Sequence, residues 1–130
     1  MIVDSSAIVA ILRGETDAAD FAAALKQAPV CRISAVTYVE TGVFIDRNGD
    51  PVLSRRFDEL LLKVGVHMES VNPRQAEIAR RAYRDFGKGR HKAGLNLGDC
   101  FAYALAKEMS EPLLFKGRDF GHTDIDAVDL

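Results

Sequence analysis

The sequence predicts an α/β fold with three layers, in which helices cover both faces of a largely parallel central sheet. Short apolar runs of β-prone residues alternate with helical patterns from one end of the chain to the other. The 130 residues, with 48% hydrophobic and 28% charged side chains, suit one globular domain over residues 1–130 and not a disordered segment. Functional sites in such folds usually lie at the carboxyl ends of the strands.

The first strand and two helices are predicted within residues 1–27. Residues 1–3 form a short apolar run, and the following Asp-Ser-Ser supplies N-capping residue types before a helix over residues 7–12 that Gly14 ends. An alanine-rich stretch over residues 16–27 predicts a second helix, because Pro29 breaks the pattern directly after it.

A second strand is predicted over residues 30–33, followed by a helix over residues 35–47 with Ser34 as its cap. The helix has apolar side chains at intervals of three and four residues, and Asn48-Gly49 is a stop signal. Glu40 therefore lies inside a largely apolar helix.

The second half of the chain repeats the alternation. A helix over residues 51–64 begins with proline and ends at Gly65, and residues 66–70 predict a weak strand. A further helix over residues 73–86 leads into a polar, glycine-rich and basic loop over residues 87–95. Asn96 caps a last helix through residue 109, and residues 113–115 predict the final strand.

Composition excludes several classes of protein. No run approaches the roughly 18 to 20 apolar residues that cross a bilayer, and Asp4 stands where a secretory signal carries basic residues. Cys31 and Cys100 are 69 positions apart without metal-ligand spacing, which predicts reduced core thiols in a cytoplasmic protein. Because the net charge is −2, a polyanionic partner would have to bind to a local positive patch or to a metal ion.

Four acidic residues lie just after predicted strands or within predicted helices, at places that the fold could bring together: Asp4, Glu40, Asp99 and Asp119. Like charges about 4 Å apart repel by roughly 4 kcal/mol at an effective dielectric constant near 20, so such a cluster should bind a divalent cation or hold a proton. A few hard oxygen ligands favour Mg²⁺ or Mn²⁺, whose chemistry suits phosphodiester hydrolysis.

Each of these acids also has a purely structural interpretation. Asp4 suits a turn or cap, Glu40 a helix rim, and Asp99 lies three residues after Asn96, as in a capping box. Asp119 lies in a loop where Asp124 competes for the same role.

Other catalytic motifs are absent. No Asp-x-Asp pair of the haloacid-dehalogenase kind follows the first strand, and the chain contains no GxxxxGK[ST], GxGxxG, GxSxG or His-Glu-x-x-His motif. The three histidines are scattered and fit surface or structural positions better than a catalytic base: His67, His91 and His122.

The chain resembles a PIN-domain ribonuclease, and specifically the VapC-type toxins of bacterial toxin–antitoxin pairs. The resemblance spans the full chain and rests on three segments, residues 1–7 (MIVDSSA), 34–40 (SAVTYVE) and 96–106 (NLGDCFAYALA), together with residues 113–120 (LLFKGRDF).

The resemblance implies a single PIN domain with a parallel sheet and an Mg²⁺ or Mn²⁺ site. Asp4, Glu40 and Asp99 would bind the metal, with Asp119 as the fourth, more variable acid, and Ser5 or Ser6 would hold metal-bound water or a neighbouring carboxylate. The resemblance further implies cleavage of tRNA, rRNA or mRNA that inhibits translation and growth, homodimers, and neutralisation by a cognate VapB-type antitoxin that inserts a basic side chain into the acidic pocket.

RNA binding needs positive charge, and residues 74–92 supply it. This segment carries a net charge of +5, while the rest of the chain carries −7. Its seven cations are Arg74, Arg80, Arg81, Arg84, Lys88, Arg90 and Lys92. We expect Arg80, Arg81 and Arg84 to bind the RNA backbone, with Tyr83 or His91 available to stack on an unpaired base; the alternative is an ordinary solvated helix face.

Two other function classes remain at this point. A phosphoacceptor signalling module also presents carboxylates at strand ends, but such a module has two adjacent acidic residues early in the chain. In this chain, Asp4 is followed by serines instead. A silent binding module would not need the set of acids. For the antitoxin, we expect an apolar groove formed by the early helices, with Ile8, Ile11, Leu12, Val43 and Phe44 as candidates.

Overall fold

The computed structural model describes residues 1–130, which form four strands and six helices. Its elements in chain order are β1 (Ile2–Val3), α1 (Ser5–Arg13), α2 (Ala18–Gln27), β2 (Arg32–Ser34), α3 (Ala35–Asp46), α4 (Pro51–Val64), β3 (His67–Glu69), α5 (Pro73–Phe86), α6 (Leu97–Met109) and β4 (Leu113–Leu114), followed by a 3₁₀ turn at Phe120–His122. No helix is long and apolar enough to cross a membrane.

The four strands form one parallel sheet in the order β3-β2-β1-β4. Ile2 pairs with Arg32 on one side and Leu113 on the other, so β1 and β2 are central. Ala127 forms a further parallel bridge to Leu113, and the C-terminal segment thereby covers the edge of β4. The strands are short, and their carboxyl ends converge on a single edge.

Two hydrophobic cores lie on opposite faces of the sheet. Ile2 and Leu113 pack with α5 and α6, while Val3, Ile33 and Leu114 pack with α1–α4. Successive strand residues point to opposite faces, and this alternation explains why even two-residue strands contribute to both cores. The three-layer α/β/α prediction is confirmed.

The helix boundaries follow from their caps. α1 begins at Ser5, two residues earlier than predicted, because the Asp4 side chain accepts a hydrogen bond from the Ser6 N–H and so serves as the N-cap. α2 begins only at Ala18, with Asp17 before it, rather than at residue 16. Gly14 and Gly65 end α1 and α4 in the left-handed conformation, with φ of 63° and 73°.

The loop over residues 87–95 is partly buried and contains a β-bridge. Gly87 and Leu95 form a parallel bridge, and both Ala93 and Leu95 are fully buried in the core beside α6. The segment is a polar and basic loop as predicted, with Lys88 and Arg90 exposed, but Ala93 and Leu95 belong to the core.

The prediction of an apolar groove over the early helices is wrong in part. Ile8 and Leu12 are buried in the core between the sheet and α1–α4, so neither side chain can contact a partner. Val43 remains 60% exposed, and Phe44 is half-buried beside it. The free cysteines Cys31 and Cys100 are both buried, as predicted.

Candidate active site

The four acidic residues occupy the edge of the sheet at which the parallel strands end. Asp4 follows β1 directly, Glu40 lies in the middle of α3, Asp99 lies in the first turn of α6, and Asp119 lies in the loop after β4. We call this group the acidic centre. The four charges interact, since the pKa of Asp99 is raised by the charges of Asp4, Glu40 and Asp119 in addition to burial.

Asp4 is the most buried member, with only 2% of its surface exposed. One carboxylate oxygen, Oδ2, accepts hydrogen bonds from the Ser6 hydroxyl at 2.6 Å and the Ser6 N–H at 3.0 Å. The other, Oδ1, is buried without a hydrogen-bond partner. Burial raises the pKa of Asp4, and the bonds from Ser6 oppose this rise.

Ser6 connects Asp4 to the neighbouring strand end. Its hydroxyl oxygen accepts a hydrogen bond of 2.9 Å from the Lys116 N–H, just beyond β4, while the hydroxyl donates to Asp4. Lys116 extends its ammonium group to Glu15 and Asp17, at 3.2 Å and 3.0 Å. The orientation of Asp4 is thus fixed by contacts between β1, β4 and the loop that joins α1 to α2.

Glu40 projects from α3 toward the first turn of α6. Its Oε1 accepts a hydrogen bond of 3.3 Å from the Ser5 hydroxyl. Burial raises the pKa of Glu40, and the nearby charge of Asp4 raises it further. Of the two serines, Ser5 therefore contacts Glu40, and Ser6 contacts Asp4.

Asp99 has a structural role and also faces the acidic centre. Its carboxylate accepts a bond of 3.0 Å from the Asn96 N–H, and the Asn96 side chain accepts one of 2.9 Å from the Asp99 N–H, which completes a capping box. Burial and the neighbouring carboxylates raise the pKa of Asp99 to about 7. The capping interpretation is correct, yet it does not account for that pKa, since hydrogen bonding by Asn96 lowers it.

Asp124, the competitor of Asp119, lies in a different environment. Its carboxylate accepts hydrogen bonds from the Tyr103 hydroxyl and from Lys107, at 2.5 Å and 3.0 Å. These bonds lower the pKa of Asp124. The charge of Asp119, in contrast, contributes to the raised pKa of both Asp4 and Asp99, so Asp119 is the acid that approaches the centre.

No cation of the chain neutralises the acidic centre. None of the ion pairs within 4.0 Å includes Asp4, Glu40, Asp99 or Asp119. The donor set consists of carboxylate and hydroxyl oxygens, which Mg²⁺ and Mn²⁺ prefer.

The residues fit such an ion, because Asp4 leaves a buried oxygen unpartnered beside two carboxylates with raised pKa values. No three His, Cys, Asp or Glu side chains already form a compact ligand cluster.

The basic segment approaches this site through α5. Asn72, at the start of α5, binds Glu108 near the end of α6, whereas Leu95, next to the start of α6, pairs with Phe86 at the end of α5. The two helices are therefore antiparallel, and the C-terminal end of α5 lies nearest to the acidic centre. Arg80, Arg81 and Arg84 line a surface hollow of about 320 Å³ together with Glu77.

Of the two candidate stacking residues, Tyr83 is the more available. Tyr83 is 43% exposed, and the Arg90 guanidinium lies 5.9 Å from its ring centre. The His91 ring packs edge-on against Phe86, and its Nδ1 accepts a hydrogen bond from the Ala93 N–H at 3.0 Å. His91 thus helps to order the loop.

Sequence reasoning missed two features of this site. Gly98 lies against the Glu40 carboxylate, and the available signal was a glycine in the first turn of a helix where no turn requires one. A groove of about 780 Å³ also adjoins Glu40 and Gly98, lined by the apolar side chains of Val36, Val39 and Leu97. Its valines have helical spacing, but the sequence did not show that they face outward.

Comparison with known proteins decides the family. The PIN domain family profile matches residues 1–126 of the chain. The chain belongs to the PIN-domain family. Among curated relatives, this PIN domain is 56% identical over 126 residues to Ribonuclease VapC28 of Mycobacterium tuberculosis, covering 96% of this chain and 95% of the relative. It is 49% identical over 131 residues to Ribonuclease VapC30 of the same species, covering 100% and 99% of the two chains. These relatives identify it as a VapC-type PIN domain.

Solved structures show the same fold at low sequence identity. The crystal structure of VapC20 from Mycobacterium tuberculosis, described as a sarcin–ricin loop cleaving toxin, superimposes with a TM-score of 0.76 at 18% identity, covering 98% of this chain and 97% of that one. A chain of a toxin–antitoxin complex from Klebsiella pneumoniae gives a TM-score of 0.71 at 18% identity, covering 95% and 92%. This PIN domain thus has the fold of those proteins over nearly its whole length.

Proposed function

We propose that this chain is a divalent-metal-dependent endoribonuclease that acts as the toxin of a toxin–antitoxin pair. The observation that carries the proposal is the acidic centre, in which four carboxylates converge without a neutralising cation and Asp4 Oδ1 is buried unpartnered. The close relatives named VapC ribonucleases support the same activity.

Asp4, Glu40, Asp99 and Asp119 would hold Mg²⁺, or Mn²⁺ in its place. When bound, the ion orients a water and stabilises the charge that develops on the phosphate oxygens. The chain's own residues prepare this site: Ser6 orients Asp4, and Ser5 contacts Glu40. Burial and the neighbouring carboxylates raise the pKa of Asp99 to about 7, so a cation held by its carboxylate would compete with a proton, and its affinity would increase as pH rises.

The substrate class proposed is structured RNA: tRNA, rRNA or mRNA. The arginines of α5 supply the positive surface that an overall negative chain otherwise lacks, and this helix ends next to the acidic centre. Tyr83, exposed beside Arg90, offers a face on which an unpaired base can stack. Cleavage of such RNA would inhibit translation and growth.

We also propose neutralisation by a cognate VapB-type antitoxin. A carboxylate cluster without a cation is complementary to a basic side chain, which would compete with the metal for the acidic centre. A second apolar contact is available at Val43, which is 60% exposed, whereas the Phe44 ring is already covered by the guanidinium groups of Arg13 and Arg47, at 4.9 Å and 4.6 Å.

A homodimer is proposed through the apolar surface beside the site. Val39 is 58% exposed and Leu97 is 73% exposed, and both line the groove that adjoins Glu40. Apolar side chains that border one groove favour association with a second copy. Light scattering should give a dimeric mass at micromolar concentration, and Leu97→Lys should lower it; a monomeric wild-type chain would contradict this part of the proposal.

The nuclease is favoured over a phosphoacceptor module by the residues beside Asp4. A phosphoacceptor module has a second acidic residue next to its first-strand aspartate, whereas Asp4 is followed by Ser5 and Ser6, and Ser6 is bonded to its carboxylate.

The deciding experiment incubates the chain with structured RNA and Mg²⁺, with and without EDTA, with Asp99→Asn as the control. The nuclease gives fragments that require metal and Asp99. No fragments, together with acyl phosphate formation on Asp4 from a small phosphodonor, would support the signalling module.

A further inference from the structure

Gly98, in α6, lies directly against the side chain of Glu40, in α3. A Cβ atom placed on Gly98 would lie 1.7 Å from Glu40 Oε2, 2.3 Å from Glu40 Cδ and 2.6 Å from Glu40 Oε1. All three values are far shorter than a contact between atoms that are not bonded. The whole Glu40 carboxylate therefore occupies the space that any other residue at position 98 would fill.

The backbone does not explain this glycine. Gly98 lies in α6 and is absent from the glycines with positive φ, so an L-amino acid could adopt its conformation without strain. Glycine is also less favourable than alanine inside a helix. The reason for a glycine at this position is therefore space for the Glu40 side chain.

Three other glycines lack a positive φ, and two of them show a useful contrast; at the third, Gly87, a Cβ would meet the Tyr83 carbonyl oxygen at 2.1 Å, which is backbone and not a flexible side chain. In α3, a Cβ on Gly42 would meet Phe57 Cε2 at 3.8 Å and Asp46 Oδ2 at 4.0 Å, which are ordinary contacts. A Cβ on Gly121 would meet nothing within 4 Å. Gly42 is thus a matched control, since it lies in a helix, near Glu40, and has room for a methyl group.

A methyl group at position 98 would displace Glu40 rather than the helices. The atoms it would meet are the end of a flexible side chain, held in the site by one hydrogen bond of 3.3 Å from Ser5. The backbones of α3 and α6 need not move, because Glu40 can rotate its carboxylate away. The fold should therefore tolerate the substitution, while the carboxylate leaves the acidic centre.

We propose that Gly98 is a positioning residue for Glu40, whose carboxylate enters the acidic centre only because position 98 has no side chain. The link to metal binding and RNA cleavage rests on the proposed function, whereas the displacement of Glu40 does not.

The first test compares Gly98→Ala with Gly42→Ala in the full chain. Gly98→Ala should weaken Mn²⁺ binding at least tenfold in calorimetric titrations, with a parallel loss of RNA cleavage, and its thermal midpoint should equal or exceed that of the wild type. Gly42→Ala should stay within twofold of the wild type in both Mn²⁺ affinity and cleavage. Unchanged Mn²⁺ affinity in Gly98→Ala would overturn the proposal.

A double-mutant cycle tests whether Gly98 acts through Glu40. Glu40→Asp shortens the side chain by one methylene and withdraws the carboxylate from position 98. Adding Gly98→Ala to Glu40→Asp should then change Mn²⁺ affinity by less than twofold, in contrast to its effect in the wild type. An equal loss in both backgrounds would show that Gly98 acts in another way and would overturn the proposal.

A crystal structure of Gly98→Ala separates this proposal from the proposed function. The Glu40 carboxylate should move by more than 1 Å while the α3 and α6 backbones stay in place. If the helices separate and Glu40 keeps its position, the proposal is wrong. A wild-type chain that neither binds Mn²⁺ nor cleaves RNA would contradict the proposed function alone, and the structure would still decide the role of Gly98.

Discussion

The carboxylates of the acidic centre and the carboxylate of Asp124, which contacts α6, lie in opposite electrostatic environments. At the Asp124 contact, the carboxylate is bonded to Tyr103 and Lys107, and its pKa is lowered. In the acidic centre, Asp4, Glu40 and Asp99 have raised pKa values, and no cation of the chain pairs with them.

The difference distinguishes a carboxylate whose contacts stabilise the fold from carboxylates whose charge we propose to be neutralised by a bound cation. Asp124 holds the C-terminal segment against α6, next to the point where Ala127 joins the sheet edge. The acidic centre contains buried like charges, an arrangement that costs free energy until a cation or a proton neutralises it. Removing charge should therefore have opposite consequences for stability in the two places.

The largest expected effect is the loss of RNA cleavage when the acidic centre loses a charge. Asp4→Asn, Glu40→Gln and Asp99→Asn should each lower cleavage by more than about 100-fold, because each removes a ligand charge from the metal site. The thermal midpoint without metal should be equal or higher, since repulsion is relieved. Cleavage assays and thermal unfolding of the same preparations measure both.

Asp124→Asn is the matched control for these variants. It should leave cleavage within about twofold of the wild type and lower the free energy of unfolding by about 1 kcal/mol or less, because its ion pair is largely exposed. Asp119→Asn should lower cleavage, but less than the other three. If Asp124→Asn removes activity and Asp119→Asn does not, then Asp124 is the fourth acid. Full activity in any of the first three variants would remove that residue from the site.

The second prediction concerns the pH dependence of stability without metal. The pKa of Asp99 in the folded chain is about 7, against an ordinary value of 3.8, so the folded state holds the proton more tightly than the unfolded chain. Its contribution to stability is present below about pH 4 and is lost as pH rises toward 7. We expect this contribution to the free energy of unfolding to be about 2 kcal/mol. It is roughly half of the free energy that corresponds to a shift of three pKa units, because Asp99 keeps some contact with solvent.

Chemical denaturation at pH 5 and pH 7.5 in EDTA tests this prediction. The wild type should lose more stability than Asp99→Asn between the two pH values, and Mg²⁺ should restore it at pH 7.5 by binding the folded state. An identical pH dependence for the wild type and Asp99→Asn would show that Asp99 does not carry the raised pKa.

A smaller effect is expected from the basic segment. Replacing Arg80, Arg81 and Arg84 with Gln should weaken RNA binding and reduce its logarithmic salt slope by roughly 0.7 for each lost phosphate contact. Mn²⁺ affinity should stay unchanged, and so should cleavage of a short substrate at saturation, because the acidic centre is intact.

The control for the arginines removes three exposed cations elsewhere, Lys26, Arg55 and Lys63, by the same change to Gln. Half-saturation and salt slope should stay close to those of the wild type. An equal loss in both triple variants would mean that overall charge, and not the face of α5, determines RNA binding.

Local signals in the sequence were sufficient to predict most of the fold. As predicted, α4 begins at Pro51 and is ended by Gly65, and Asn96 caps α6. These predictions succeeded because the residues that start and stop a helix act within one turn. The predictions failed where tertiary packing decides. Ile8 and Leu12 face the core because α1 packs between the sheet and the other helices, which no local pattern indicates.

The site was predictable where strand ends alone determine position. Asp4 follows β1, and parallel strands end at one edge, so its place followed from topology. The choice between Asp119 and Asp124 required the position of Tyr103 and Lys107, which contact Asp124 across 21 and 17 residues of sequence. The contact between Gly98 and Glu40 spans two helices, so a glycine in the first turn of α6 was a signal that did not reveal which side chain it faces.

The most direct test of the central claim, that the acidic centre is a divalent-cation site, is anomalous diffraction from crystals of the wild-type chain soaked in Mn²⁺. The account predicts an anomalous peak among the carboxylates of Asp4, Glu40 and Asp99, and no such peak in crystals of Asp4→Asn. An acidic centre without a peak at saturating Mn²⁺, or a peak that survives the loss of the Asp4 charge, would contradict it.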